Sequence, residues 1–558
     1  MSTVNVVIKH QGKKYDVEVD TSSTGEVLKY QLYSLTGVEP ERQKILVKGG
    51  QLKDDTDLSK LGLKPGQVIM MMGTPGDSGA AITRPTEKIK FLEDMTEAEM
   101  AQQANATPAG LINLGNTCYL NATLQAMRAI PELQETLTHH KHTSMSEIPQ
   151  LDITNQLKDL YKEMSETTGA VVPFAFLNAL RTTFPQFAER SRKGPGYAQQ
   201  DAEEAWSQII SQLRQKLKLP TPDGADSSNA QGFIDKYVAG EFSTTLECDD
   251  PAAREAGEQP TSSREQFLKL NCHIGNTTAH LRDGLVEGLT EKIEKRSEVL
   301  GRDVTYTKTS RISRLPKYLT VHFVRFFWKR DVQKKAKIMR KVTFPHELDA
   351  IEFCTDELKK ALIPVRDKVR EVRKEEEDVE RARKRRKKNP LLDGEVSGEK
   401  KDEAKKEGEE KKEEKKKDGD GDVAMTETYK TDAEWDAEKE AAILEAKKEL
   451  NALIDPELRK DDGANQSGIY ELRAVVTHQG ASADSGHYTA YVKKTAPKDP
   501  ATGKVGEEDG KWWWFNDDKV SEVTADKIDA LAGGGESHSA LILLYKAIPL
   551  PTAEGLMQ

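Results

Sequence analysis

Long apolar runs are missing from this chain. The longest, ALILLY at 540–545, falls far short of the roughly 20 residues that a membrane-spanning helix needs, so no membrane partner is expected. The first residues, MSTVNVVIKH, have no charged segment leading into an apolar one, which argues against a secretory leader. Cysteine is scarce as well. Cys118, Cys248, Cys272 and Cys354 are spread through 558 residues with no C-x-x-C pair, which is no disulfide framework. Apolar residues make up 36% and charged residues 32%, so part of the chain should lie outside any core. The net charge of −10 is small for this length and gives nucleic acid little footing as a partner. Together these absences predict a soluble protein of a reducing compartment, with room for two or three domains.

Residues 3–20 alternate in the manner of paired strands: Val4, Val6 and Ile8, then Tyr15, Val17 and Val19, with a turn at 10–13. Val27, Leu28, Leu32 and Leu35 follow at helical spacing, and Gly37 stops them. Lys44–Val47 and Val68–Met72 predict two further strands. This order, with QKILVKGGQLKD at 43–54, resembles ubiquitin. The resemblance puts Leu46, Gly49 and Met70 on a partner-binding patch, whereas a plainer reading makes Leu46 and Met70 caps on a core. No diglycine ends the segment, so a docking module is expected rather than a conjugated modifier.

Composition then divides the chain. Residues 1–75 form the ubiquitin-like domain, and 76–108, rich in Gly, Pro, Thr and Ala, a flexible linker. A long mixed region, 109–548, is interrupted by a charged insertion at about 355–460, and 549–558 is a tail. The insertion's centre, about 390–425, has no apolar stripe and should be disordered, with helices on both flanks. Its basic run, RKRRKK at 383–388, suits either a nuclear import signal or one end of a solvated helix.

The strongest local pattern is GLINLGNTCYLNATLQ at 110–125. Gly115 and Asn116 suit a tight turn and Thr117 a helix cap, while Leu120, Leu124 and Met127 recur at helical spacing. Cys118 therefore opens a helix, where the helix dipole and a nearby imidazolium would lower its pKa and favour the thiolate. A base is needed. In DSGHYTAYV at 484–492, His487 follows a glycine and starts an alternating strand. About 30 residues on, WWWFNDDKV at 512–520 offers Asn516 or Asp517 to hold the imidazole.

These segments resemble the ubiquitin-specific proteases, papain-like cysteine deubiquitinases. QQDAEEAW at 199–206, RLPKYLTVHFVRF at 314–326, KVTFP at 341–345 and LILLY at 541–545 match further family segments in the right order. The resemblance implies an α+β fold: a ubiquitin-like β-grasp, then a thumb-palm-fingers catalytic domain with a charged, partly disordered insertion. It implies Cys118 as nucleophile, His487 as general base, Asn516 orienting the imidazole with Asp517 in support, and Asn113 as oxyanion donor. Thiol-dependent hydrolysis after the C-terminal glycine of ubiquitin follows. Ubiquitin and its conjugates are then partners, as is the proteasome regulatory particle through the ubiquitin-like domain, in cytoplasm and nucleus. Loops at about 327–340 and 478–485 would flank the channel for ubiquitin's tail. One departure is the absence of C-x-x-C zinc knuckles. Cys248, Cys272, His273 and His280 have the wrong spacing for a zinc site, so no metal and no cofactor are expected. Two rivals are an inactive scaffold and a protease for another ubiquitin-like modifier.

Overall fold

The computed structural model describes residues 3–10, 13–36, 38–47, 50–54, 56–73, 96–101, 106–140, 149–191, 195–220, 230–329, 334–388, 432–482, 485–496, 506 and 508–551. They fall into two compact units, Met1–Asp94 and Met95–Gln558.

In the first unit, β1 (Thr3–His10) and β2 (Lys13–Asp20) form the hairpin expected from their alternation. Then come α1 (Gly25–Thr36), β3 (Lys44–Val47), β4 (Gly50–Gln51) and β5 (Val68–Met72). The sheet order is β2-β1-β5-β3-β4, with β1 and β5 parallel, and α1 lays Leu28 and Leu32 onto its apolar face. The helical stripe is narrower than its spacing predicts, because Val27 and Leu35 are exposed.

The second unit opens with α2 (Glu97–Ala101), which packs on α5 (Ile153–Glu166) and accepts a bond on the Glu97 carboxylate from the Thr167 hydroxyl, 2.9 Å. This part of the expected linker therefore belongs to the second unit; 74–95 lies outside the described residues. The thumb consists of α3 (Cys118–Met127), α4 (Pro131–His139), α5, α6 (Phe174–Thr183), α7 (Ala202–Lys216) and α8 (Phe233–Tyr237). Every residue of α3 is buried, since other thumb helices cover one side and the palm sheet the other. That leaves even the polar Asn121, Thr123 and Gln125 out of solvent.

The fingers are a sheet of order β7-β6-β10-β9, from β6 (Gly240–Cys248), α9 (Pro251–Glu255), β7 (Thr261–Phe267), β8 (Leu270–His273), α10 (Leu281–Gly288), β9 (Thr290–Arg296) and β10 (Asp303–Arg314) in chain order. Of these, β8 leaves for the palm. The palm adds β11 (Tyr318–Val324), β12 (Phe326–Lys329), β13 (Lys334–Lys337) and β14 (Glu347–Asp349). The insertion follows as α11 (Asp356–Lys388), α12 (Asp432–Leu453) and α13 (Pro456–Lys460). The palm closes with β15 (Ile469–Ser482), β16 (Ser485–Lys493), β17 (Trp512–Asn516), β18 (Lys519–Val523), α14 (Asp526–Asp529) and β19 (Ser539–Ala547). Its main path runs β18-β17-β16-β15-β19-β11-β8.

The basic run 383–388 ends α11, where Arg383 pairs with Asp436 and Glu440 of α12. The expected disordered centre, 390–425, is outside the described residues. The two loops expected beside the channel are the β12–β13 and β15–β16 hairpins, and they meet where Ala336 pairs with Ser482.

Thumb and palm are joined beside α3. A Cβ on Gly110 would stand 2.5 Å from the Asp518 carbonyl oxygen, so only glycine lets the two backbones approach this closely. Gly110→Ala should therefore lower the melting temperature of the second unit by a few degrees, a cost of about 1–3 kcal/mol from overpacking. An unchanged melting curve would show that the join yields without cost.

Candidate active site

Cys118 is the first residue of α3, as its segment predicts, but Thr117 does not cap the helix with its side chain. Its hydroxyl instead accepts from the Leu114 N–H, 2.9 Å, and bonds the Asn113 Oδ1, 3.2 Å, tightening the turn before the helix. Asn116 turns there with φ 56. Helix α3 lies on β16, and the backbone N–H of Tyr488 faces the Cys118 sulfur. His487 is the preceding residue of the same strand. The glycine before it is required: a Cβ on Gly486 would lie 2.1 Å from the Gln479 carbonyl oxygen, and its φ is +137.

His487 Nε2 and Asn516 Oδ1 are 2.6 Å apart. An amide oxygen only accepts, so Nε2 carries the hydrogen and the lone pair of the neutral ring sits on Nδ1. Asp517, one residue on, turns away from the imidazole with φ 51. Its carboxylate accepts from Asn113 Nδ2, 3.0 Å, and from Asn121 Nδ2, 2.8 Å, and its carbonyl accepts the Leu111 N–H, 2.9 Å. Between the two candidates for the imidazole partner, the hydrogen bond is made by Asn516; Asp517 instead braces the turn before Cys118 and helix α3. The Asn113 Oδ1 accepts from Gly115 N and Thr117 N, so its amide plane is held from both ends.

The thiol departs from expectation. Cys118 is 3% exposed, and burial pushes its pKa up to about 11. The Tyr488 N–H and the helix-start N–H groups lower it, the Asp517 carboxylate raises it, and burial dominates. In this form of the protein the sulfur is protonated at neutral pH.

Behind His487 lies a buried basic cluster that the sequence did not signal. The His478 ring packs against Phe326 and Tyr488, and the His538 ring lies edge-on to His487 with centroids 6.5 Å apart. Burial first, then Lys337 and His538, depress His478 to about 3. Burial, then His487 and Lys337, depress His538 to about 4. Both rings are neutral at pH 7. Asn121 was also passed over; its only signal was a polar side chain in a helix otherwise fit for a core.

The two cysteines between 205 and 310 lie apart. Cys248 packs in a small cluster with Val304 and Tyr306, while Cys272 belongs to the palm core. Among the described residues no group of three His, Cys, Asp or Glu side chains could hold a metal, and no helix is long and apolar enough to cross a membrane. In the first unit Leu46 and Met70 are cross-strand neighbours, 46% and 49% exposed, so they do not cap a core. Val68 and Met72 extend that exposed face, and Gly49 lies outside the described residues.

A helical thumb on a palm sheet, with a cysteine at a helix start beside a histidine–asparagine pair, defines a thiol hydrolase joined to a ubiquitin-like unit. Residues 109–545 match the family described as ubiquitin carboxyl-terminal hydrolase, and residues 4–76 match the ubiquitin family. Ubiquitin carboxyl-terminal hydrolase 6 of Schizosaccharomyces pombe is 43% identical, with 98% of this chain and 99% of that protein covered. Its Arabidopsis thaliana namesake is 38% identical, again over 98% and 99%. Ubiquitin carboxyl-terminal hydrolase 14 of Caenorhabditis elegans is 32% identical over 98% and 94%. The chain belongs to the ubiquitin carboxyl-terminal hydrolase family and is a cysteine-type ubiquitinyl hydrolase.

Two pH effects follow. With its thiol pKa near 11, the free enzyme should be alkylated at Cys118 by iodoacetamide at a rate that climbs with pH and does not level off below about pH 10. A plateau near neutrality would mean a preformed thiolate. The depressed histidines add stability that is present above their unfolded pKa of about 6.5 and lost as pH falls towards 4. His478 alone should remove roughly 2 kcal/mol at pH 5. His478→Gln should flatten the fall of melting temperature between pH 6.5 and 4.5, and a curve parallel to wild type would contradict this.

Proposed function

We propose that this deubiquitinase works through a Cys118–His487–Asn516 triad and docks on the proteasome through its ubiquitin-like unit. The 2.6 Å bond between His487 Nε2 and Asn516 Oδ1 carries the reading, because it leaves the Nδ1 lone pair as the base. His487 Nδ1 takes the Cys118 proton as the sulfur attacks the carbonyl carbon after ubiquitin's last glycine. The oxyanion meets the second N–H of Asn113 Nδ2, whose first N–H is taken by Asp517. The imidazolium returns its proton to the departing amine, leaving a thioester. Water, deprotonated by His487, then frees ubiquitin and the thiol. A buried thiol makes thiolate formation wait for this transfer. Cys118→Ala should abolish hydrolysis while ubiquitin still binds, and a ubiquitin probe with a C-terminal electrophile should label Cys118. Label on Cys248, Cys272 or Cys354 would overturn the assignment.

Docking rests on the exposed face at Leu46, Val68, Met70 and Met72, and Gly49 adjoins it in the sequence. Truncating a central apolar anchor of such a patch often costs about 2 kcal/mol or more, roughly thirtyfold in affinity. Leu46→Ala should weaken co-purification with proteasome regulatory particles by about that factor. The melting temperature should stay unchanged, because the side chain is half exposed already. Undiminished proteasome binding would place the dock elsewhere. Four unpaired cysteines fit a reducing compartment, and we place the enzyme in cytoplasm and nucleus; a fluorescent fusion confined to a secretory compartment would refute this.

A further inference from the structure

Asn121 is 2% exposed on α3, three residues after Cys118, in a helix whose other positions mostly fill the core. Its Nδ2 donates to the Leu111 carbonyl, 3.2 Å, and to the Asp517 Oδ1, 2.8 Å. Its Oδ1 is buried and finds no protein hydrogen-bond partner. A leucine would fill the space without stranding an acceptor, so the amide nitrogen is the reason for an asparagine here. The Leu111 N–H donates to the Asp517 carbonyl, 2.9 Å, and so Leu111, Asn121 and Asp517 close a ring of hydrogen bonds. The other carboxylate oxygen, Oδ2, receives Asn113 Nδ2 at 3.0 Å.

We propose that Asn121 is a positioning residue for the oxyanion donor: it fixes the rotation of the Asp517 carboxylate, which in turn aims the Asn113 amide. This rests on the reading of Cys118, His487 and Asn113 given above. Without Asn121 the carboxylate, held on one side only, turns about its last bond. Asn113 then tilts, because its Oδ1 remains anchored by Gly115 and Thr117 while its nitrogen loses a fixed partner. The damage falls on the transition state, where the oxyanion forms, and not on the binding of ubiquitin's body or on the sulfur itself.

The test uses the full chain and a ubiquitin C-terminal ester. Asn121→Ala should lower kcat about tenfold to a hundredfold with KM within about twofold, somewhat less than loss of an oxyanion donor outright. Iodoacetamide alkylation of Cys118 should be unchanged. Asn121→Ala combined with Asn113→Ala should be no slower than Asn113→Ala alone, because both changes remove one function. Should Asn121→Ala fail to fold, Asp517→Asn decides: its Oδ1 can accept one donor but its nitrogen repels the other, so the same kcat loss is expected. A folded Asn121→Ala, or failing that a folded Asp517→Asn, with kcat within twofold of wild type overturns the proposal. So do independent, multiplying effects of Asn121→Ala and Asn113→Ala, or a fall in alkylation that parallels the fall in kcat. A wild-type enzyme inert on the ester would instead refute the reading of the site itself.

Discussion

A turn at the end of β17 holds both halves of the catalytic site. Asn516 and Asp517 are consecutive, yet the left-handed backbone at Asp517 sends their side chains to different tasks. Asn516 faces the imidazole from the palm, and Asp517 grips the loop and helix of the thumb through Asn113, Asn121 and the Leu111 amide. The seam between thumb and palm therefore runs through the residue next to the partner of the His487 imidazole. Any slippage of α3 against the sheet would disturb Cys118, Asn113 and His487 together. The close approach at Gly110 and the tight backbone at Gly486 serve the same end.

The electrostatics of the site follow from how dry this seam is. A helix N-terminus contributes about 0.3–1 kcal/mol, less than one pKa unit, whereas burial of an ionisable group shifts its pKa by several units. Burial wins at Cys118 and holds the sulfur as a thiol near neutral pH. The same dryness keeps His478 and His538 neutral, and the nearby cation Lys337 reinforces it, itself lowered to about 8 by burial and then by Arg325. Arg325 meets backbone carbonyls of Ala540, Ile338, Arg340 and Ala532. The imidazole of His487 thus works against a background of groups that resist gaining charge.

In the ubiquitin-like unit the balance is different. Twelve buried apolar side chains make a small core between one helix and a twisted sheet, and the opposite sheet face keeps Leu46, Val68, Met70 and Met72 in contact with solvent. Exposed apolar side chains concentrated on one sheet face are the physical signature of a surface built for a partner. The fold is indifferent to them, which leaves them free to serve recognition.

Local pattern was enough to read the β-grasp, the helix opened by Cys118 and the strand that carries His487, although that strand starts two residues earlier at Ser485, because period and punctuation depend only on near neighbours in the chain. The choice of Asn516 over Asp517 as imidazole partner was half legible: the segment named both, and only the turn geometry separated them. The tie from Asp517 to Asn113 spans 404 residues and that to Asn121 spans 396, and no local period records such a pairing. The protonation of Cys118 was misread for the same reason, since desolvation is set by what the rest of the fold packs around the sulfur. Val27 and Leu35 sit at helical spacing yet face solvent, because a spacing names a stripe while the neighbouring sheet decides how much of it is covered. The sequence by itself determined the elements with clear periodicity, their order and the candidate side chains. Their mutual aim, exposure and charge were decided only when distant segments closed around them and excluded water.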